Sequence, residues 1–203
     1  MESIQESINH TIAKKKQGDI FFPAEFRGKG TASAIKKSLS RLAAQKKISR
    51  LANGIYYIPK NDPLFGDLKP SAEQVAQLIA RKEKVRIRPA GAYALNRLGL
   101  STQVPMKLVY ITDGEPRRLT IGKTQIVFKS TTPKKLSAKG AISGLLLQGL
   151  EELDLHNMPF ETELKIKELL QKENPRHLQH DLELAPAKIH DYLIRLLQKR
   201  EEK

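Results

Sequence analysis

The stretch "GTASAIKKSLSRLAAQKKISRLANGIYYIPK", Gly30 to Lys60, changes its period halfway, and that change restricts the folds open to this chain more than any other feature. From Thr31 onward, Ile35, Leu39 and Leu42 recur along one line of a helix, with Lys46 at its end. Ser33, Lys36, Lys37, Ser40 and Arg41 fall on the opposite side. The runs "KISRL" and "IYYIP" then flank "ANG", and Asn-Gly joins strands in a tight hairpin because both residues tolerate positive φ. Upstream, Ile4, Ile8 and Ile12 mark an amphipathic helix that stops before Gly18. "DIFFPAEF" reads as an extended piece followed by one or two helical turns, with Pro23 at a first helical position. Three helices followed by a hairpin predict a winged helix over residues 1–62.

Beyond it, "NDPLFGDLKP" collects prolines, a glycine and aspartates, as a linker or crossover loop does. A second domain is expected over residues 70–203. Ser71 stands three residues before Gln74, a capping box for a helix carrying Val75, Leu78 and Ile79. "VRIRP" is a short strand with Arg86 and Arg88 on one face, and "AGAYALNRLGL" a helix stopped by Gly99. "KLVYIT", "RRLTIG" and "TQIVFK" read as strands, the last two a hairpin across Gly122. "GAISGLLLQGLEEL" is a buried helix, and Phe160–Lys172 and Pro186–Arg200 are amphipathic ones. The fold class is therefore α+β: a winged helix, then a mixed domain with a small sheet and C-terminal helices.

Charge narrows the function. The chain has a formal net charge of +14, distributed as +8 over residues 1–60, +8 over 61–135 and −2 over 136–203. Lysines that serve only solubility would not segregate in this way; a polyanionic partner explains the asymmetry better. Absence of cysteine removes disulfides, thiolate catalysis and cysteine-ligated zinc. No apolar run is long enough to span a bilayer, and "MESIQESINHTIAKKK" lacks the apolar centre of a secretory signal, so a cytoplasmic protein with no membrane partner is expected.

Double-stranded DNA is the partner that the first domain suits. A helix after a tight turn can enter the major groove, where Lys36, Lys37 and Arg41 supply charge and Ser33 and Ser40 short hydrogen-bonding groups. Lys47 and Arg50 in the hairpin face the flanking backbone, and of Tyr56 and Tyr57 one packs on the helices while the other reaches a phosphate, Tyr56 being the DNA-binding candidate. The alternative for the helix is an ordinary amphipathic surface helix, and for the basic face an RNA- or protein-interaction module.

Enzyme signatures are weak. "GKGT" at Gly28 and "GKT" at Gly122 lack the upstream glycine of a phosphate loop, since Pro23 and Arg117 stand there. Asp113 and Glu115 in "TDGEPRR" allow a metal-dependent nuclease as the rival reading, though Gly114 and Pro116 make a charged turn the simpler one. "HLQH" is the one histidine pair spaced to share a helix face, and no carboxylate motif accompanies it. No cofactor and no catalytic residue are expected.

The string "RPAGAYALNRLGLSTQVPMKLVYITDGEPRRLTIGKTQIVFK", following the helix and hairpin, resembles the AbiEi-like antitoxins of type IV toxin-antitoxin systems and their short bacterial relatives. The likeness covers roughly residues 5–150, and its most specific part runs from Pro89 through "ALNRLGLSTQVP" to "YITDG". It implies an N-terminal domain that represses its own operon and a C-terminal domain that counters a nucleotidyltransferase-like toxin. Arg86, Arg88, Arg97, Arg117 and Arg118 lie in the region of likeness and are expected to form either the antitoxin surface or a second DNA surface.

Overall fold

Ser3 caps the first helix. Its hydroxyl accepts the Glu6 N–H and the Glu6 carboxylate accepts the Ser3 N–H, so α1 (Ile4–Ala13) starts with two of its orphan donors satisfied. In the computed structural model, which describes residues 3–198, α1 is followed by β1 (Ile20–Phe21), a 3-10 turn (Pro23–Phe26), α2 (Ala32–Ala44), β2 (Ser49–Ala52) and β3 (Ile55–Tyr57). The middle helix expected from the sequence is thus only the 3-10 turn. The strands form an antiparallel sheet in the order β1-β3-β2, with Ile20 opposite Tyr57, Ser49 opposite Tyr57, and a bulge in β2 between Arg50 and Ala52.

Ile8 and Ile12 from α1, Ile35, Leu39 and Leu42 from α2, and Phe21, Phe26, Ile48 and Tyr56 form one core. Phe21 stacks on Tyr56 with ring centroids 6.1 Å apart and meets Phe26 edge-on at 5.9 Å. Aromatic packing of this kind lets a small sheet with short strands hold two helices.

Residues 61–67, expected as a linker or crossover loop, make a ribbon of β4 (Asn61–Asp62) and β5 (Gly66–Asp67). One oxygen of Asp62 accepts the N–H groups of Leu64 and Phe65, at 2.9 and 3.0 Å, which fixes the turn and leaves both apolar side chains in solvent. Then α3 (Ala72–Glu83) begins with the predicted Ser71–Gln74 capping box, each side chain bonding the other's backbone N–H. The chain divides into two compact units: the part through Ile79 together with Leu119–Lys123, and Ala80–Arg118 with Thr124 onward.

The rest of the chain comprises β6 (Ile87–Pro89), α4 (Gly91–Arg97), β7 (Lys107–Thr112), β8 (Arg117–Ile121), β9 (Thr124–Ser130), α5 (Pro133–Leu136), α6 (Ser143–Leu150), α7 (Phe160–Gln171), α8 (Pro175–Leu184) and α9 (Ala187–Gln198). The strand order is β6-β7-β9-β8, with β6 antiparallel to β7 and β7 parallel to β9 from Lys107–Gln125 to Thr112–Ser130. Leu146, Leu147 and Leu150 of α6 pack with Ile166 and Leu170 of α7 and Ile189, Tyr192, Leu193 and Leu196 of α9 in a helical core. Of the helix expected over Pro186–Arg200, Lys199 and Arg200 lie outside the described residues. No described helix is long and apolar enough to cross a membrane.

Candidate nucleic-acid interface

The apolar line of α2 determines which of its residues meet solvent. Ile35, Leu39 and Leu42 are buried, at most 3% exposed, and this turns Ser33, Lys36, Lys37, Ser40 and Arg41 outward together. Thr31 caps the helix by accepting the Ala34 N–H at 3.2 Å. The loop ahead of it is tied down by Lys29, whose ammonium donates to the Ser7 carbonyl at 2.9 Å, to the Ser7 hydroxyl at 3.1 Å and to the Thr11 hydroxyl. That lysine is therefore structural. Its neighbour Arg27 is exposed and, with Lys36, lines a groove of about 340 Å³ between the 3-10 turn and the first turn of α2. Arg27 closes the 3-10 turn, five residues ahead of α2, and lies on no periodic element, so no sequence pattern singles it out.

At its other end α2 closes with a Schellman motif: Lys47 N–H donates to the Leu42 carbonyl and Lys46 N–H to the Ala43 carbonyl. This requires a left-handed residue, and Lys46 takes it with φ 58°. Lys46 so leaves the apolar line along which its spacing placed it, and is exposed beside exposed Lys47. In the hairpin, Gly54 supplies the expected positive φ, 72°. Arg50 is exposed, but its guanidinium donates to the Ala52 carbonyl at 3.2 Å and to the Asn53 side-chain oxygen at 2.9 Å, so at rest it braces its own turn.

Tyr56 corrects the sequence reading. It is 3% exposed and stacks on Phe21 in the core, so it does not reach a phosphate. Both tyrosines are buried because β3 is the central strand, covered on its two faces, and alternation along it does not separate an inner from an outer residue. Tyr57 donates its hydroxyl to Asp67 at 2.8 Å, and burial together with that carboxylate raises its pKa.

The five arginines of the later segment do not share one environment. Arg86 is exposed and held by Asp113: one carboxylate oxygen accepts the Arg86 N–H at 2.7 Å and the other its Nε at 2.8 Å, which keeps the Asp113 pKa below the ordinary carboxylate value. Arg88, expected on the same face, is largely withdrawn from solvent. Its Nη2 donates to the Ala138 carbonyl at 2.6 Å and its Nη1 is buried without a partner; burial lowers its pKa, against the opposing charge of Asp181. Arg117 pairs with Glu83 and lies over the Phe128 ring at 5.4 Å. Arg97 and Arg118 are exposed. Only part of this set is thus displayed to a partner, and Arg88 is removed from it.

A second polar cluster was not foreseen. Asp181 is 0% exposed and accepts the Ser143 hydroxyl at 2.6 Å, the Lys139 N–H at 2.7 Å, the Gly140 N–H at 2.9 Å and a contact from His180 Nδ1 at 2.9 Å. Glu173 accepts the Ile142 and Ser143 N–H groups at 2.7 and 3.0 Å. Burial pushes both carboxyls up, but the hydrogen bonds outweigh it and both pKa values are lowered. Two carboxylates thereby fix residues 139–143 at the start of α6. Among the described residues no group of three His, Asp or Glu is placed to hold a metal ion.

Residues 7–178 match the model of a family of unknown function, DUF6088, and the chain belongs to that family. No curated protein matches it.

Proposed function

We propose that the chain binds duplex DNA through a winged-helix-type N-terminal segment, with α2 in the major groove and the β2–β3 hairpin on the flanking backbone, and that it represses its own operon as the antitoxin of a type IV toxin-antitoxin pair. The observation that carries the DNA reading is the solvent face of α2, where the helix period gathers Ser33, Lys36, Lys37, Ser40 and Arg41 opposite a buried face of Ile35, Leu39, Leu42 and Ser38. Lys46 and Lys47 at the helix end and Arg27 at its start extend the positive charge along the helix axis, as a phosphate backbone on either side of a groove requires. The antitoxin role, countering a nucleotidyltransferase-like toxin in the cytoplasm, rests on the resemblance of roughly residues 5–150, and most specifically of the string from Pro89 to "YITDG", to the AbiEi-like proteins. The rival nuclease reading is weakened because both oxygens of Asp113 are engaged by Arg86.

Binding to DNA carrying the operon's upstream region, measured against salt, tests this reading. If about five to nine phosphates are neutralised, the log-log slope is on the order of −4 to −8. Arg41→Ala costs about 1–3 kcal/mol on the operator and less on random duplex, if Arg41 reads a base edge. A flat salt dependence, or an Arg41→Ala protein that binds the operator as tightly as the parent, refutes it. Co-expression with the toxin encoded beside it tests the second role: the doubly substituted Lys37→Ala, Arg41→Ala chain still rescues growth, because neutralisation does not use the groove face.

A further inference from the structure

A cleft of about 170 Å³ opens between α5, α6 and the chain just after α8. Its walls are apolar, with Leu147, Leu184 and Pro186 among them, and its rim carries Lys134 and the ion pair of Lys135 with Glu151, 2.6 Å apart. Gln148 of α6 also lines it and is only 5% exposed. Its carboxamide is not sealed in the core but is open to the cleft it lines, so its donor and acceptor are available to an occupant. Among the described residues the Gln148 side chain makes no hydrogen bond.

We infer that this cleft binds a nucleoside monophosphate, with the base edge against Gln148 and the phosphate toward Lys134. Drug-sized ligands need roughly 300–1,000 Å³, so a cleft of this size takes the base alone and leaves the ribose and phosphate outside it, along the rim that carries Lys134. Leucine and proline walls pack against the flat faces of such a ring. The amide of Gln148 offers a donor beside an acceptor, the pattern that pairs with the edge of adenine, so AMP is the first candidate. Of the two rim lysines, Lys135 is neutralised by Glu151, whereas Lys134 has no ion pair among the described residues and is exposed. It is the cation available to a phosphate. None of these residues belongs to the α2 face, so the inference stands apart from the DNA reading.

The test is titration of the full chain with AMP, GMP, CMP and UMP, and with adenosine, by calorimetry and by following the Gln148 side-chain amide resonances. AMP is expected to bind and to shift those resonances. Gln148→Leu, checked for an unchanged thermal transition, lowers AMP affinity about tenfold. Lys134→Ala lowers AMP affinity severalfold and leaves adenosine unaffected. Should Gln148→Leu fail to fold, the Lys134→Ala comparison of AMP with adenosine decides the matter, because that side chain lies in solvent. Failure of all four monophosphates to bind the parent chain, or an affinity unchanged in folded Gln148→Leu, overturns the inference.

Discussion

Replacing Asp181 by Asn removes one charge and almost no volume, and so isolates what the buried carboxylate contributes. Oδ1 faces the Lys139 N–H and His180, and Oδ2 faces the Gly140 N–H and the Ser143 hydroxyl. Whichever way the new amide is turned, its NH₂ group points at a backbone N–H, and a donor then meets a donor in a site with no solvent. A hydrogen bond to a charged group contributes about 1.5–3 kcal/mol, and a buried donor left unpaired costs about 1–3 kcal/mol. Since these losses overlap, Asp181→Asn is expected to destabilise the unit by about 2–4 kcal/mol at neutral pH.

The pH dependence follows from the same group. Its pKa is lowered in the folded state, so its contribution is fully present above the unfolded value, near 4, and is lost as pH falls through the folded value. The stability gap between the parent and the Asn variant is therefore constant above about pH 4 and narrows as the pH falls below it. Urea unfolding at several pH values, with amide exchange read at Lys139 and Gly140, measures both effects. A variant within about 0.5 kcal/mol of the parent at pH 7, with unchanged exchange at those two amides, refutes the assignment of Asp181 as the anchor of this loop.

Two further substitutions test features of the backbone. At Gly144 a Cβ would overlap the Arg88 guanidinium, so Gly144→Ala is expected to cost about 1–3 kcal/mol in urea unfolding, whereas helix propensity alone would make it a gain of about 1 kcal/mol; the sign decides. Lys46→Gly relieves a left-handed lysine and is expected to stabilise by about 1 kcal/mol in the same assay, while weakening DNA binding if that lysine neutralises a phosphate; an unchanged midpoint refutes the strain argument.

The N-terminal elements were legible because their determinants are local. The period of Ile35, Leu39 and Leu42 and the Asn53-Gly54 turn each act over a few residues, and the structure follows them. Arg88 was misread for the opposite reason. Its partner carbonyl belongs to Ala138 and the space it fills exists because Gly144 lacks a side chain, both remote in sequence and unpredictable from the alternation of "VRIRP". Tyr56 failed in the same way, since only the sheet order shows that its strand is central. Nor does any local pattern announce that Asp181 and Glu173 bind the residues before α6, because a carboxylate's acceptors carry no period.

The parallel pairing of β7 with β9 also governs how this chain can be made. A nascent chain completes the first sheet once Tyr57 has emerged, with every strand's neighbour already synthesised. β7 has a partner on one side in β6, but on the other it waits for Thr124–Ser130, and the intervening β8 takes the outer position next to β9. Connectivity favours one order of events, in which β8 and β9 meet locally and then add to β7 as a pair. Until they do, β7 presents a bare edge carrying Val109 and Ile111, and synthesis slowed in this interval exposes that edge to other nascent chains. Pauses introduced between the codons for Thr112 and Ser130 should therefore lower soluble yield more than equal pauses placed within α2.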